Sequence, residues 1–209
     1  SHAAVAPVQR ATLSTHMLEV NAQWSVQDPS HSVGNAMLSF SNEAERIAMH
    51  LRLVRERSLS NMPEGLSAQQ FEQRLFLLSK LNDYAGRGVF PQNYVLPYRN
   101  PVFIDPHGTA CAVGQLMIES GHHDLADRIS ATMNLAYVLD MQGTALWPEI
   151  AAWANEHGFT AEELAWIQPG YPPNLPWNAL GGGTNGPVTV TETLSNGDLL
   201  LCNAADNTA

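Results

Sequence analysis

Apolar positions in the middle of the chain recur at helical spacing. Ala44, Ile47, Ala48, Leu51 and Val54 fall on one face, the i, i+3, i+4, i+7 pattern of an amphipathic helix. Asn42 followed by Glu45 supplies a start of capping-box type. Ser67 with Gln70 repeats that signal, and Phe71, Leu75, Leu78, Leu81 and Ala85 predict the apolar face of a second helix stopped by Gly86. A third helix is predicted from about Thr109 to Ser120, ending at Gly121. A fourth runs from about Asp124 to Met133, with a continuation through Tyr137 to Met141. A fifth has Pro148 in its first turn, carries Ile150 and Trp153, and ends at Gly158. Thr160 with Glu163 opens a short sixth helix closed by Pro169.

The pattern lapses on either side of this region and once inside it. Residues 1–40 show little periodicity and read as an arm with one short helix or strand near Met17 to Trp24. Between Gly86 and Asp105 the text "GRGVFPQNYVLPYRNPVFID" holds three prolines, which predicts an ordered loop with a short strand at Val102 to Ile104. Beyond Tyr171, "PPNLPWNALGGGTNGP" is a linker, and "VTVTETLSNGDLLLC" alternates about an Asn196-Gly197 turn, a hairpin signal. The expectation is a mainly α protein: an irregular bundle of five to six helices with a long proline-rich ordered loop and a C-terminal β-hairpin. Its segments are an arm (1–40), a helical domain (41–171), a linker (172–187) and a hairpin tail (188–209).

Composition narrows the function classes. The 209 residues are 44% hydrophobic and 14% charged, against roughly 25% charged in an ordinary domain, so a real core forms with few charges around it. Ten Lys and Arg against twenty Asp and Glu give a net charge of -10, and no basic cluster offsets it. Nucleic acid and anionic membrane surfaces are therefore poor partners. No apolar run approaches the ~20 residues of a spanning helix. The opening "SHAAVAPVQRATLS" looks like the end left by a processed leader, which points to a secreted, periplasmic or cell-surface protein.

Candidate chemistry centres on "DPHGTACAVGQL". Cys111 falls in the opening turn of a predicted helix, where free amides and the helix dipole favour a thiolate. A nucleophile needs a base. His107 lies four residues upstream, and His50 lies on the edge of the first helix's apolar stripe. Asn82 falls in the middle of the second helix's apolar face and would orient a histidine, completing a Cys–His–Asn set. The bland reading of the same residues is packing for Cys111 and a backbone tie for Asn82. Asp105, His107, His122 and His123, close to Cys111 and Asp124, are ligand types suited to zinc or another divalent metal. They match neither CxxC nor HExxH spacing, so no cofactor is expected. Cys111 and Cys202 would pair in an oxidising compartment and stay free otherwise. Tyr84, Arg87, Phe90, Tyr94, Tyr98 and Arg99 crowd the proline-rich loop, either as a recognition surface or as the loop's own anchors.

The segments "HLRLVRERSL", "LNDYAGRGVFPQN", "PVFIDPHGTACAVGQLM" and "HGFTAEELAWIQPGY" resemble a group of uncharacterised secreted proteins of marine and soil bacteria. The resemblance covers about residues 41–171 and is most specific over Phe103 to Gly114. It implies export and a domain boundary but no reaction. The tail "WNALGGGTNGPVTVTETLSNGDLLL" resembles the opening repeat of secreted kelch-like β-propeller proteins. It departs from them by stopping after one hairpin, where a propeller needs at least four blades, and by carrying Cys202 in place of the usual glycine. The tail therefore belongs to a longer exported protein or docks on the helical domain. Three readings follow: an exported interaction or surface-attachment module with a protein, peptide or glycan ligand; a cysteine-dependent hydrolase or acyltransferase; and a metal-binding protein.

Overall fold

A computed structural model describes residues 8–25, 34–175, 188–193 and 199–203, the last two stretches as backbone only. The chain divides into two compact units, Ser1–Asn174 and Leu175–Ala209. In the first, seven α-helices stand among the described residues: α1 (Leu13–Val20), α2 (Glu43–Ser60), α3 (Ala68–Arg87), α4 (Ala112–Glu119), α5 (His123–Met133), α6 (Trp147–Glu156) and α7 (Ala161–Ile167). The 3-10 turns Ala22–Ser25 and Val138–Met141 add to them. Two short strands, β1 (Val8–Thr12) and β2 (Met37–Phe40), pair antiparallel with Thr12 opposite Met37. The protein is mainly α, as the pattern predicts. In the second unit β3 (Val188–Thr193) and β4 (Leu199–Asn203) pair antiparallel, Thr193 opposite Leu199. The Asn196-Gly197 turn, most of the linker, and residues 1–7 of the leader-like start lie outside the described residues.

The caps form where the sequence places them. Asn42 accepts from the Glu45 amide at 2.9 Å, but Glu45 reaches back to the Ser41 amide, one residue before the cap. Ser67–Gln70 and Thr160–Glu163 make complete reciprocal boxes, each satisfying two otherwise orphaned amides. Along α2, Ile47, Ala48, Leu51 and Val54 are buried as expected.

The face of α3 differs from expectation. Phe71 and Leu75 are 42% and 38% exposed, while Leu77, Leu78, Leu81, Tyr84 and Ala85 are buried together with Arg74. A buried arginine turns the helix so that the stripe running through position 74 faces the core, and an apolar pattern cannot register it. The rotation also leaves Asn82 exposed, so it is not the buried amide expected. The helix passes Gly86 and ends at Gly88, whose φ of 63° is the left-handed conformation glycine adopts without strain.

Three further boundaries move. The third helix begins at Ala112 with Cys111 as its cap. The fourth stops at Met133, where the Asn134 side chain accepts from the Ile104 amide (2.8 Å) and donates to its carbonyl (3.0 Å), separating α5 from the 3-10 turn at Val138. Val102–Ile104 forms no strand; Ile104 makes an isolated bridge with Ala110. The proline-rich loop is held from within by fully buried Asn93, which donates to the Tyr98 carbonyl and accepts from the Val95 and Leu96 amides. Phe90, Val102 and Phe103 anchor it in the core.

The first forty residues are expected as an arm, but their described part is built into the helical unit. Met17 and Val20 are buried. Asn21 donates from Nδ2 to the carbonyls of Ala165, Trp166 and Gln168 at 2.9–3.0 Å. The last carbonyls of a helix have no partner within it, so Asn21 supplies from a distant segment donors that complete the local Gln168 cap of α7.

Candidate functional site

The backbone does turn into a helix at Cys111, and its Sγ accepts from the Gly114 amide at 3.4 Å. The surroundings decide its chemistry. The strap before it is tied down by the Cys111 amide donating to the Phe103 carbonyl (2.7 Å) and the Tyr84 hydroxyl donating to the Ala110 carbonyl (2.8 Å). Gly114 lets the Phe103 ring lie against the first turn: a Cβ there would sit 3.1 Å from the ring. Cys111 is consequently sealed, with no exposed surface, among Phe103, Leu116 and other core residues. Burial pushes its thiol up to about 12, and the backbone amides offset only part of that. Desolvation outweighs the helix terminus, so Cys111 is a neutral, free, packed thiol, the packing alternative rather than the accessible thiolate of the hydrolase alternative. The side chain of Cys202 lies outside the described residues. With Cys202 replaced by serine, native protein should resist iodoacetamide at pH 8 and label fully in denaturant, read by intact mass; rapid native labelling would refute the burial.

The expected bases do not reach it. Asp105 accepts from the His107 and Thr109 amides at 2.9 and 3.0 Å through Oδ1, and from the Gln92 amide at 3.1 Å through Oδ2. This fixes a tight turn at Gly108, φ 81°, which leaves His107 at the surface, edge-on to Tyr94 with ring centres 5.8 Å apart. His50 is fully buried in α2. Its Nδ1 accepts from the Trp24 indole N–H at 2.9 Å, and burial lowers it to about 3 despite the nearby Trp166 carbonyl. Cys111, His107, His50 and Asn82 therefore form no catalytic set.

The proposed metal ligands are also apart. Asp105 is committed to backbone amides. His122 stands at the N-cap position of α5 without a capping side-chain bond, its Nδ1 3.2 Å from the Ser120 hydroxyl and its ring edge-on to His157, while His123 is exposed. Among the described residues no three His, Cys, Asp or Glu side chains converge to hold a metal ion.

A site that the sequence reading misses lies between the end of α1, the 3-10 turn Val138–Met141 and the end of α7. It is a groove of about 360 Å³ lined by Leu18, Glu19, Arg99, Tyr137, Leu139 and Asp140, among others. Leu18, Tyr137 and Leu139 are 46%, 47% and 37% exposed on its rim. Its walls are fixed. Buried Gln168 accepts from the Val138 amide (2.9 Å) and donates to the Ala136 carbonyl (3.1 Å). Gly170 donates to the Val20 carbonyl at 2.9 Å, and Arg99 crosses Gly170 so closely that a Cβ would sit 3.0 Å from its Cγ. The Arg99 guanidinium donates to the Gly170 carbonyl and to Glu43, both at 2.8 Å. Burial alone would raise the pKa of Glu19, but its hydrogen bonds with Arg46 and the charges of Arg46 and Arg99 hold it below the ordinary carboxylate value. The lining residues come from four separate segments, and no local pattern unites them.

Among the described residues no helix is long and apolar enough to cross a membrane. No protein-family model matches the chain, and no curated protein or solved structure shows significant similarity to it.

Proposed function

We propose that this chain is an exported helical interaction module that binds a peptide or protein segment non-covalently in the groove beside α1. The observation that carries this reading is the groove's rim: three exposed apolar side chains, from positions 18, 137 and 139, meet on one concavity with internally bonded walls. Grouped exposed apolar surface around a preformed hollow is the ordinary signature of a binding site. Leu18 and Leu139 are branched aliphatic groups, better suited to a peptide side chain than to the flat face of a sugar ring. The likeness of residues 41–171 to secreted bacterial proteins supports export. The net charge of -10 weighs against a nucleic-acid partner.

An unbiased displayed peptide library tests this. Clones selected on the protein should lose at least about tenfold in affinity on a Leu18→Ser/Leu139→Ser variant, since two apolar contacts of ~1 kcal/mol or more each are removed. Both side chains are surface-exposed, and circular dichroism checks that the variant is folded. Clones that bind both proteins equally would rule out the groove.

A further inference from the structure

Resting on the groove reading above, we infer that its ligand is a short peptide segment bearing an apolar side chain next to a lysine or arginine. The volume of about 360 Å³ is at the small end of ligand pockets, room for one or two side chains rather than a whole helix. The rim is apolar, but the charge inside it has one sign available. Arg99 is the cation among the lining residues, and its guanidinium already serves the Gly170 carbonyl and Glu43. Glu19 is shared between Arg46 and Arg99. Asp140 is different: its carboxylate is exposed and makes no hydrogen bond or ion pair among the described residues. It sits directly after Leu139 in the turn and close enough to Tyr137 to raise that phenol's pKa, after burial.

An arriving ligand therefore meets leucine and tyrosine carbon beside an uncompensated negative charge. A neutral apolar segment would leave that charge unanswered and partly desolvated. An acidic segment would meet like charge at the rim and across a chain of net charge -10, which slows encounter as well. A cation one residue from the apolar anchor satisfies both features, and its side-chain stem adds carbon contact along the rim.

The library selection separates this inference from the reading beneath it. Only clones that fail on Leu18→Ser/Leu139→Ser count, because that variant keeps every charge and so discards peptides that merely adhere to an acidic protein. The groove-dependent clones should be enriched in Lys or Arg adjacent to Leu, Ile or Phe. A fluorescein-labelled peptide of their consensus, followed by anisotropy, should bind Asp140→Asn about fivefold more weakly and weaken further between 50 mM and 500 mM salt, about 14 Å and 4 Å of Debye length. Groove-dependent clones that are neutral or acidic, or an affinity unchanged in Asp140→Asn, would overturn the cationic ligand while leaving the groove standing. A selection yielding no groove-dependent clones would overturn both.

Discussion

Arg74→Ala should lower the unfolding free energy by about 4 kcal/mol, a large share of what holds an ordinary domain together. The side chain is fully buried in α3. Its Nη1 donates to the Gly158 carbonyl (2.7 Å) and to Glu163 (2.9 Å), and its Nη2 donates to the Ser58 carbonyl (2.7 Å) and to Glu163 (2.5 Å). The guanidinium also lies 4.9 Å from the centre of the Phe159 ring. One group thus joins the end of α2, the middle of α3, the turn after α6 and the first turn of α7. Gly158 belongs to the same joint: it has φ 71° and leaves no space, since a Cβ there would sit 2.9 Å from the Gln70 carbonyl oxygen. Truncation removes the donors, strands two carbonyls and a carboxylate, and opens a void. Each of these costs free energy, and nothing in a rigid joint can move to compensate. Removing both charges is a different matter. The desolvation of a buried ion pair consumes most of its attraction, so Arg74→Met with Glu163→Leu should be less destabilising than the sum of the two single changes. Urea denaturation followed by circular dichroism measures the unsubstituted protein, Arg74→Ala, the two single changes and the double. A loss under 1 kcal/mol for Arg74→Ala would mean that the guanidinium is not the joint described.

The protein should also be acid-labile because of His50. An unfolded histidine titrates near 6.5, whereas burial holds His50 to about 3 in the fold. Between those values the unfolded chain binds a proton that the native one refuses. The stability tied to His50 is therefore complete above pH 6.5 and is lost as pH falls toward 3, at about 1.4 kcal/mol per pH unit, or about 5 kcal/mol in all. The geometry gives the cause. Nδ1 already accepts the Trp24 indole N–H, so a proton there would set donor against donor in a dry site. Trp24 itself is edge-on to Trp166 with ring centres 4.8 Å apart, so its fluorescence should report the loss. His50→Gln keeps an acceptor but cannot gain charge. Between pH 6.5 and pH 4.5 the native protein should lose about 3 kcal/mol more than this variant. Equal slopes for the two proteins would refute the assignment.

Local structure was legible in the sequence wherever it is decided locally. The Ser67–Gln70 and Thr160–Glu163 boxes, the Asn42 cap and the buried stripe of α2 all follow from neighbours within a few residues. Legibility ended where distant segments decide. The apolar stripe of α3 departs from its local pattern because Arg74 pairs inward with Glu163, 89 positions away. Cys111 stands at the helix start the sequence marks, though as the cap before Ala112 rather than within the first turn, and its exposure depends on Phe103, Tyr84 and the strap above it. The spacing of four residues between His107 and Cys111 implied contact, but the Asp105 turn sends His107 to the surface. The groove combines residues 18–23 with 99, 137–140, 165, 168 and 170, a grouping that only tertiary folding creates.

Asn21 gives the opening segment a double duty. The same residue that closes the end of α7 follows the helix forming one bank of the groove. A shortened version starting at Ser41 would lose the clasp on α7 and the groove wall formed by residues 18–23 in one cut. Fragment design should therefore keep the chain from Val8 onward, since trimming those residues would open one wall of the groove and loosen the end of α7 together.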